Sequence, residues 1–180
     1  MKKFYPFLSI LLLIYWSCDI IGVEKVVIYH DNGKIKSRGQ KLKNGDKVGK
    51  WDYFFENGDV LKEEEYKNGK LNGLFRQFYP NGNISIGGDY KDGLKTGPWT
   101  YLRENGEILI FESEYKEGKL DGYMTTYNEL GRTELMVSYS NGKITNKVLF
   151  QYDEDGKIKK VIDQEKVEKK KMEILNKILK

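Results

Sequence analysis

The chain contains one imidazole, His30, and one thiol, Cys18, so nucleophilic or metal-assisted chemistry would have to be built almost entirely from carboxylates. His30 precedes Asp31-Asn32-Gly33, a turn signal, and as a base or ligand it would act without a second imidazole; it reads as a solvated turn residue. Glu63, Glu64 and Glu65 are consecutive. On a strand, alternate members face opposite sides, so they do not make a tight carboxylate pair. Asp153-Glu-Asp155-Gly156 has the look of a calcium loop, but its glycine comes too early for an EF-hand and Gln164 stands where the bidentate glutamate belongs. A hairpin turn is the better reading. Walker loop, zinc spacing and nucleophile elbow are absent from the sequence, and Asn83-Ile-Ser85 has the form of a glycosylation sequon. The sequence therefore assigns no catalytic, cofactor or metal residues. An enzyme, for example one acting on cell-wall glycans, is disfavoured because no acid–base pair converges.

Cys18 has a different context. Lys2 and Lys3 precede an apolar run from Phe4 to Trp16, followed by Ser17 and Cys18, as in an export signal. A membrane span needs about 20 apolar residues, and stretching this run to that length takes in Pro6 and Asp19. A cysteine behind a small serine resembles the lipobox of bacterial lipoproteins, which implies that Cys18 carries lipid and becomes the amino terminus. Tyr15 and Trp16 depart from the aliphatic and small residues of that pattern. The alternative is an ordinary apolar cysteine beside a signal anchor. Both place the remainder outside the cytoplasm, in a bacterial cell envelope and attached to a membrane.

The composition narrows the rest. The 180 residues carry a formal net charge of +4. Lys2 and Lys3 supply two of these charges, and residues 163–180, with six lysines and four acids, supply the other two. Residues 18–162 are thus neutral, which weakens the reading as a general nucleic-acid or polyanion binder. One cysteine precludes an intrachain disulfide framework.

Chain organisation lies in the glycines. One column runs Gly33, Gly58, Gly82, Gly106, Gly131 and Gly156, at steps of 24 or 25. A second runs Gly45, Gly69, Gly93, Gly118 and Gly142, and a third, four residues further on, Gly49, Gly73, Gly97 and Gly122, with Asn146 in the last copy. Between them lie segments rich in aromatic and β-branched residues, such as Trp51–Phe55 and Val60–Tyr66. Asn57-Gly58, Asn81-Gly82 and Asn105-Gly106 read as two-residue type I′ turns. They set Phe55 against Val60, Tyr53 against Lys62 and Trp51 against Glu64. The same count sets Tyr79 against Ile84, Gln77 against Ile86, Phe75 against Gly88, Tyr101 against Ile110, and Trp99 against Glu112. Lys67–Gly73 reads as the connection between hairpins.

The expected fold is all-β: an elongated single-layer antiparallel β-meander of tandem hairpin repeats, with no second layer and a short C-terminal α-helix. Residues 1–17 form the signal peptide and 18–24 a linker; repeats fill 25–162, with copies starting near 25, 49, 73, 97, 122 and 146. Residues 163–180 form an amphipathic helix, capped by Asp163 and striped by Val167, Lys171, Ile174, Leu175 and Ile178. That stripe either packs on the last hairpin and covers the sheet edge or lies on an anionic membrane or a partner.

The residues Gly49-Lys-Trp51-Asp-Tyr53-Phe-Phe55-Glu-Asn57-Gly58 and Tyr66-Lys-Asn-Gly69-Lys-Leu-Asn-Gly73 resemble the MORN-repeat variant of bacterial proteins labelled YwqK-family antitoxins. The resemblance spans about residues 25–160. It implies an elongated hairpin array used as an interaction surface and, for some members, a place in toxin–antitoxin systems. The aromatic residues Trp51, Tyr53, Phe75, Tyr79, Trp99 and Tyr101 form either a binding strip for a protein partner or rings that pack on their strand neighbours. Two functions follow: an envelope-anchored scaffold or binding module, and an antitoxin-like partner of a cognate effector. Neither uses a cofactor.

Overall fold

The computed structural model describes residues 22–105, 109–146, 149–153, 155–161 and 164–178. The signal segment 1–17, Cys18, most of the linker, Gly106 and Asp163 lie outside them. The strands are β1 (Val23–Tyr29), β2 (Ile35–Leu42), β3 (Lys47–Phe54), β4 (Val60–Lys67), β5 (Lys70–Phe78) and β6 (Ile84–Lys91). They continue with β7 (Leu94–Leu102), β8 (Leu109–Lys116), β9 (Lys119–Tyr127), β10 (Thr133–Ser140) and β11 (Lys143–Asn146). These eleven pair antiparallel in chain order as one sheet, the meander expected from the glycine columns. β12 (Leu149–Tyr152) and β13 (Ile158–Val161) form a separate two-stranded sheet, and α1 (Gln164–Ile178) follows. Among the described residues, no helix is long and apolar enough to cross a membrane.

Type I′ turns occur, but on the second glycine column rather than on the first, where they were expected. At Asn68-Gly69, Asp92-Gly93, Glu117-Gly118 and Asn141-Gly142 both residues have positive φ, as a type I′ turn requires. The connection between hairpins is thus two residues long, and Lys70–Gly73 belong to β5. At Asn57-Gly58 only the glycine is left-handed, with φ 99°. Gly58 N donates to Phe55 O and Phe55 N to Asp59 O, which makes a type I turn closed by a glycine bulge. The asparagine explains the choice: its Oδ1 accepts the Asp59 amide at 2.9 Å, and the corresponding bonds recur at Asn32 and Asn81. The loop therefore pairs Phe54, not Phe55, with Val60, and Phe78, not Tyr79, with Ile84. Beyond each bulge Tyr53–Lys62, Trp51–Glu64, Gln77–Ile86 and Phe75–Gly88 stand opposite one another as expected.

The next hairpin is displaced by one residue. Tyr101 pairs with Phe111 rather than Ile110, and Trp99 with Ser113 rather than Glu112. Gly106 and Gly118 are twelve apart, whereas Gly58 and Gly69, and Gly82 and Gly93, are eleven apart. The extra residue moves Glu112 to the other face and lets Phe111 stack on Tyr101, with centroids 3.9 Å apart.

The third glycine column sits inside strands. Gly49, Gly73, Gly97 and Gly122 have positive φ where three residues oppose one on the preceding strand. Opposite the bulge of β5 the single residue is Glu65 of β4, whose carboxylate lies over Gly73 and accepts the Leu74 amide at 3.1 Å. Adjacent repeats are also tied at their turns. Asn32 Nδ2 donates to Glu56 O and Asn81 Nδ2 to Glu104 O. His30, expected to be solvated, is half-buried, and its Nε2–H donates to Phe54 O at 3.0 Å.

One face carries charge. Asp52 and Glu63 stand directly opposite each other on β3 and β4, and Lys50 bridges them at 3.2 and 2.7 Å. Arg38 and Arg76 extend this ladder to β2 and β5. The other face carries the rings and, towards the C-terminal end, gains the second layer that had not been expected. There Ile174 of α1 joins a buried cluster that includes Trp99, Tyr101, Phe111, Leu135 and Val137, and Lys170 pairs with Glu134 at 2.6 Å. Of the expected apolar stripe, Ile174 is buried and Leu175 is exposed. The helix lies on the sheet face because β9 and β10 present an apolar surface there (Met124, Leu135, Val137 and Tyr139) that one sheet cannot cover alone.

Candidate functional site: the ring face

Two arrangements of the same kind, 48 residues apart, organise the ring face. In β3 the bulge at Gly49 takes in Trp51 and lays its indole flat on Gly39 of β2, where a side chain would overlap the ring. Trp51 Nε1 donates to Gln40 O at 3.0 Å. In β7 the bulge at Gly97 lays Trp99 on Gly88 of β6, and its Nε1 donates to Asp89 O at 3.2 Å. In β5 and β9 the bulge ends one residue earlier, and Phe75 and Met124 pair squarely with Glu64 and Ser113.

A lysine closes each tryptophan from above. Lys47 Nζ lies 4.5, 5.1 and 4.9 Å from the ring centroids of Trp51, Tyr53 and Tyr66, and donates to Tyr53 Oη at 2.5 Å. Lys95 Nζ lies 4.1, 5.6 and 5.1 Å from Trp99, Tyr101 and Tyr115, and donates to Tyr101 Oη at 2.9 Å. An ammonium over aromatic faces is a cation–π arrangement, and partial desolvation strengthens it. Burial also lowers the pKa of both lysines, since it penalises their charged form. Burial likewise raises the phenols of Tyr53 and Tyr101.

Glu64 is the polar centre of the first unit. It is 4% exposed, and its carboxylate accepts from Lys62 Nζ and Tyr66 Oη, each at 2.7 Å. Burial works to raise its pKa, but the bonds from Lys62, Tyr66 and Tyr53 hold it below the ordinary value. Tyr66 is pushed up to about 12 by burial and by that carboxylate. Glu63 binds Lys50 and Arg76 on the other face, so the three glutamates do not converge.

The six aromatic candidates divide in two. Trp51 and Trp99, each 1% exposed, and Tyr101 are buried and pack on their strand neighbours, the second of the two alternatives. Each ring is covered by its neighbours in the sheet: Phe75, Tyr90 and Tyr115 surround Trp99 at centroid distances of 5.4, 5.1 and 6.3 Å. Tyr53, Phe75 and Tyr79 are half-open. Tyr79 donates to Leu102 O at 2.9 Å, and the other two, with Tyr66 and Tyr90, form the reachable part of the face. Gly39, Lys47 and Lys95 escaped the sequence reading, which had Glu64 and Gly88 only as the strand partners of Trp51 and Phe75. Their signal was a double repeat: lysine four residues before each tryptophan, tyrosine two after, and glycine eleven or twelve before. Among the described residues, no group of three or more His, Cys, Asp or Glu side chains is placed to hold a metal ion.

Comparison with known families agrees with this geometry. The MORN repeat variant matches residues 47–68 and 71–92, which cover the β3–β4 and β5–β6 hairpins one repeat apart. Such repeats suggest a repeat-based binding or scaffold module. No curated protein sequence matches the chain significantly.

Proposed function

We propose that this chain is a non-enzymatic binding module of the bacterial cell envelope, anchored through lipid on Cys18, that presents its ring face to a protein partner. The observation that carries the reading is the division within the ring face. Buried tryptophans fix the sheet, while Tyr53, Tyr66, Phe75 and Tyr90 stay half-open between them. Rings that are held in place but accessible supply contact area at little entropic cost. The signal-like run before Cys18 supports the address.

Capture of the mature chain from envelope extract tests the surface. The double variant Tyr53→Ala/Phe75→Ala, which spares the tryptophans, is expected to lose a partner that the wild type retains; equal retention would sink the ring-face reading. Labelled palmitate and Cys18→Ala test the anchor, which is wrong if no label enters the wild type. The resemblance to YwqK-family repeats favours a second reading, a partner that neutralises a cognate effector. It predicts co-purification of a toxic protein whose growth defect this chain rescues.

A further inference from the structure

The two ends of the sheet are unlike. Among the described residues, β11 closes one end with four residues, of which Lys143, Thr145 and Asn146 are exposed. β1 forms the other end with seven residues and has a strand on one side only. Its last four, Val26-Val-Ile-Tyr29, carry no charge, and Val27, Ile28 and Tyr29 are 45%, 46% and 60% exposed. β1 contains no proline, and the extra residue of the irregularity near Tyr29, Lys36, lies on β2. This half of the strand thus lacks the charges, prolines and bulges that keep a sheet edge from pairing.

Backbone geometry restricts what can pair there. His30 N donates to Lys34 O, so His30 turns its backbone groups towards β2. Alternation along the strand then turns those of Tyr29, Val27 and Lys25 outward. A second β1, antiparallel and related by a twofold axis, bonds to them only with the axis at a residue, since an axis between residues sets outward groups against inward ones. Centred on Val27, the pairing sets Val27 against Val27, Val26 against Ile28 and the Lys25 ammonium against the Tyr29 ring. Centred on Val26, it sets Glu24 against Ile28 and Lys25 against Val27; centred on Ile28, it leaves only residues 27–29 of the strand paired with one another. Pairing of β1 with β11 of another copy would build an open filament, and β11 is too short and too polar to match.

We propose that β1 is a dimer edge, which pairs antiparallel with β1 of a second copy about Val27 and joins two eleven-stranded sheets into one. The axis stands perpendicular to the sheet, so both ring faces lie on the same side. The edge lies apart from the half-open rings and stands whether or not they bind a partner.

Sedimentation equilibrium of the full chain tests it. The wild type is expected to associate reversibly to a dimer. Val27 pairs with Arg38 of β2, so Val27→Glu gains a counter-charge within its own chain while bringing two carboxylates face to face at the axis. It should dimerise at least tenfold more weakly, because like charges directly opposed are unfavourable. Val27→Lys should behave likewise, and an equimolar mixture of the two variants should recover the dimer, since residue 27 meets residue 27. The assignment is overturned by a monomeric wild type, by an association that Val27→Glu leaves unchanged, as one through the apolar amino-terminal run would be, or by a mixture that stays monomeric. Should Val27→Glu fail to fold, unaltered dimerisation of Val27→Lys overturns it equally.

Discussion

The indole of Trp99 occupies the space in which a side chain at Gly88 would stand, one strand away. Gly88 has ordinary strand φ, so its glycine is required by this contact and not by the backbone. Gly88→Ala must push the tryptophan off the sheet, break its bond to Asp89 O and open the cluster behind it. A loss of about 2–4 kcal/mol is expected from urea unfolding. Gly87→Ala, whose new methyl would meet Thr100 Oγ1 at 3.4 Å, should change stability by less than about 1 kcal/mol. Equal effects at the two positions would contradict the packing.

Glu117 holds φ 51° at the first position of a type I′ turn, where the other three such turns among the described residues have asparagine or aspartate. Those short side chains tolerate the left-handed region better than glutamate does. Glu117→Asn is expected to raise stability by about 0.5–1 kcal/mol, seen as a higher thermal midpoint. The reverse change, Asn68→Glu, should lower it by a similar amount.

Glu64 has a folded-state pKa below its unfolded value, so the stability it contributes is fully present above the ordinary carboxyl pKa of 4.5 and is lost as pH falls through the folded value. Glu64→Gln should flatten the decline of unfolding free energy below pH 4.5. At pH 7 the same variant leaves Lys62 without its counter-charge and is expected to cost about 1–3 kcal/mol. Denaturant titrations at pH 3.5 and 7 check both arms.

Tyr66 shifts the other way. With a folded pKa of about 12 against 10.0 unfolded, its contribution is complete below pH 10 and disappears as pH rises through 12. Tyr66→Phe should make the fall in stability between pH 10 and 12 shallower while costing about 1 kcal/mol at pH 8 through the lost bond to Glu64. Absorbance at the phenolate band during alkaline titration should show one fewer late-ionising tyrosine.

Most of the architecture could be read in one dimension because its determinants are local. A glycine at the tip of a turn and alternation along a strand act over a few residues, so the hairpins, their order and most of the Trp51 and Phe75 pairings follow from spacing. The one-residue displacement in β8 was countable too, as twelve rather than eleven residues from Gly106 to Gly118. The turn types were harder to read, because Asn-Gly suits both. Asn57 uses its side chain to hold the Asp59 amide, whereas Asn68 uses its tolerance of positive φ.

Tertiary packing alone decided which rings are closed off. Exposure of Trp51 or Trp99 depends on a glycine in the preceding strand, a lysine before the bulge in its own strand and a tyrosine from the following strand, and no alternation within β3 or β7 encodes that combination. The place of α1 was undecided for the same reason. An amphipathic helix specifies that one face be buried, but only the apolar surface of β9 and β10 determines where.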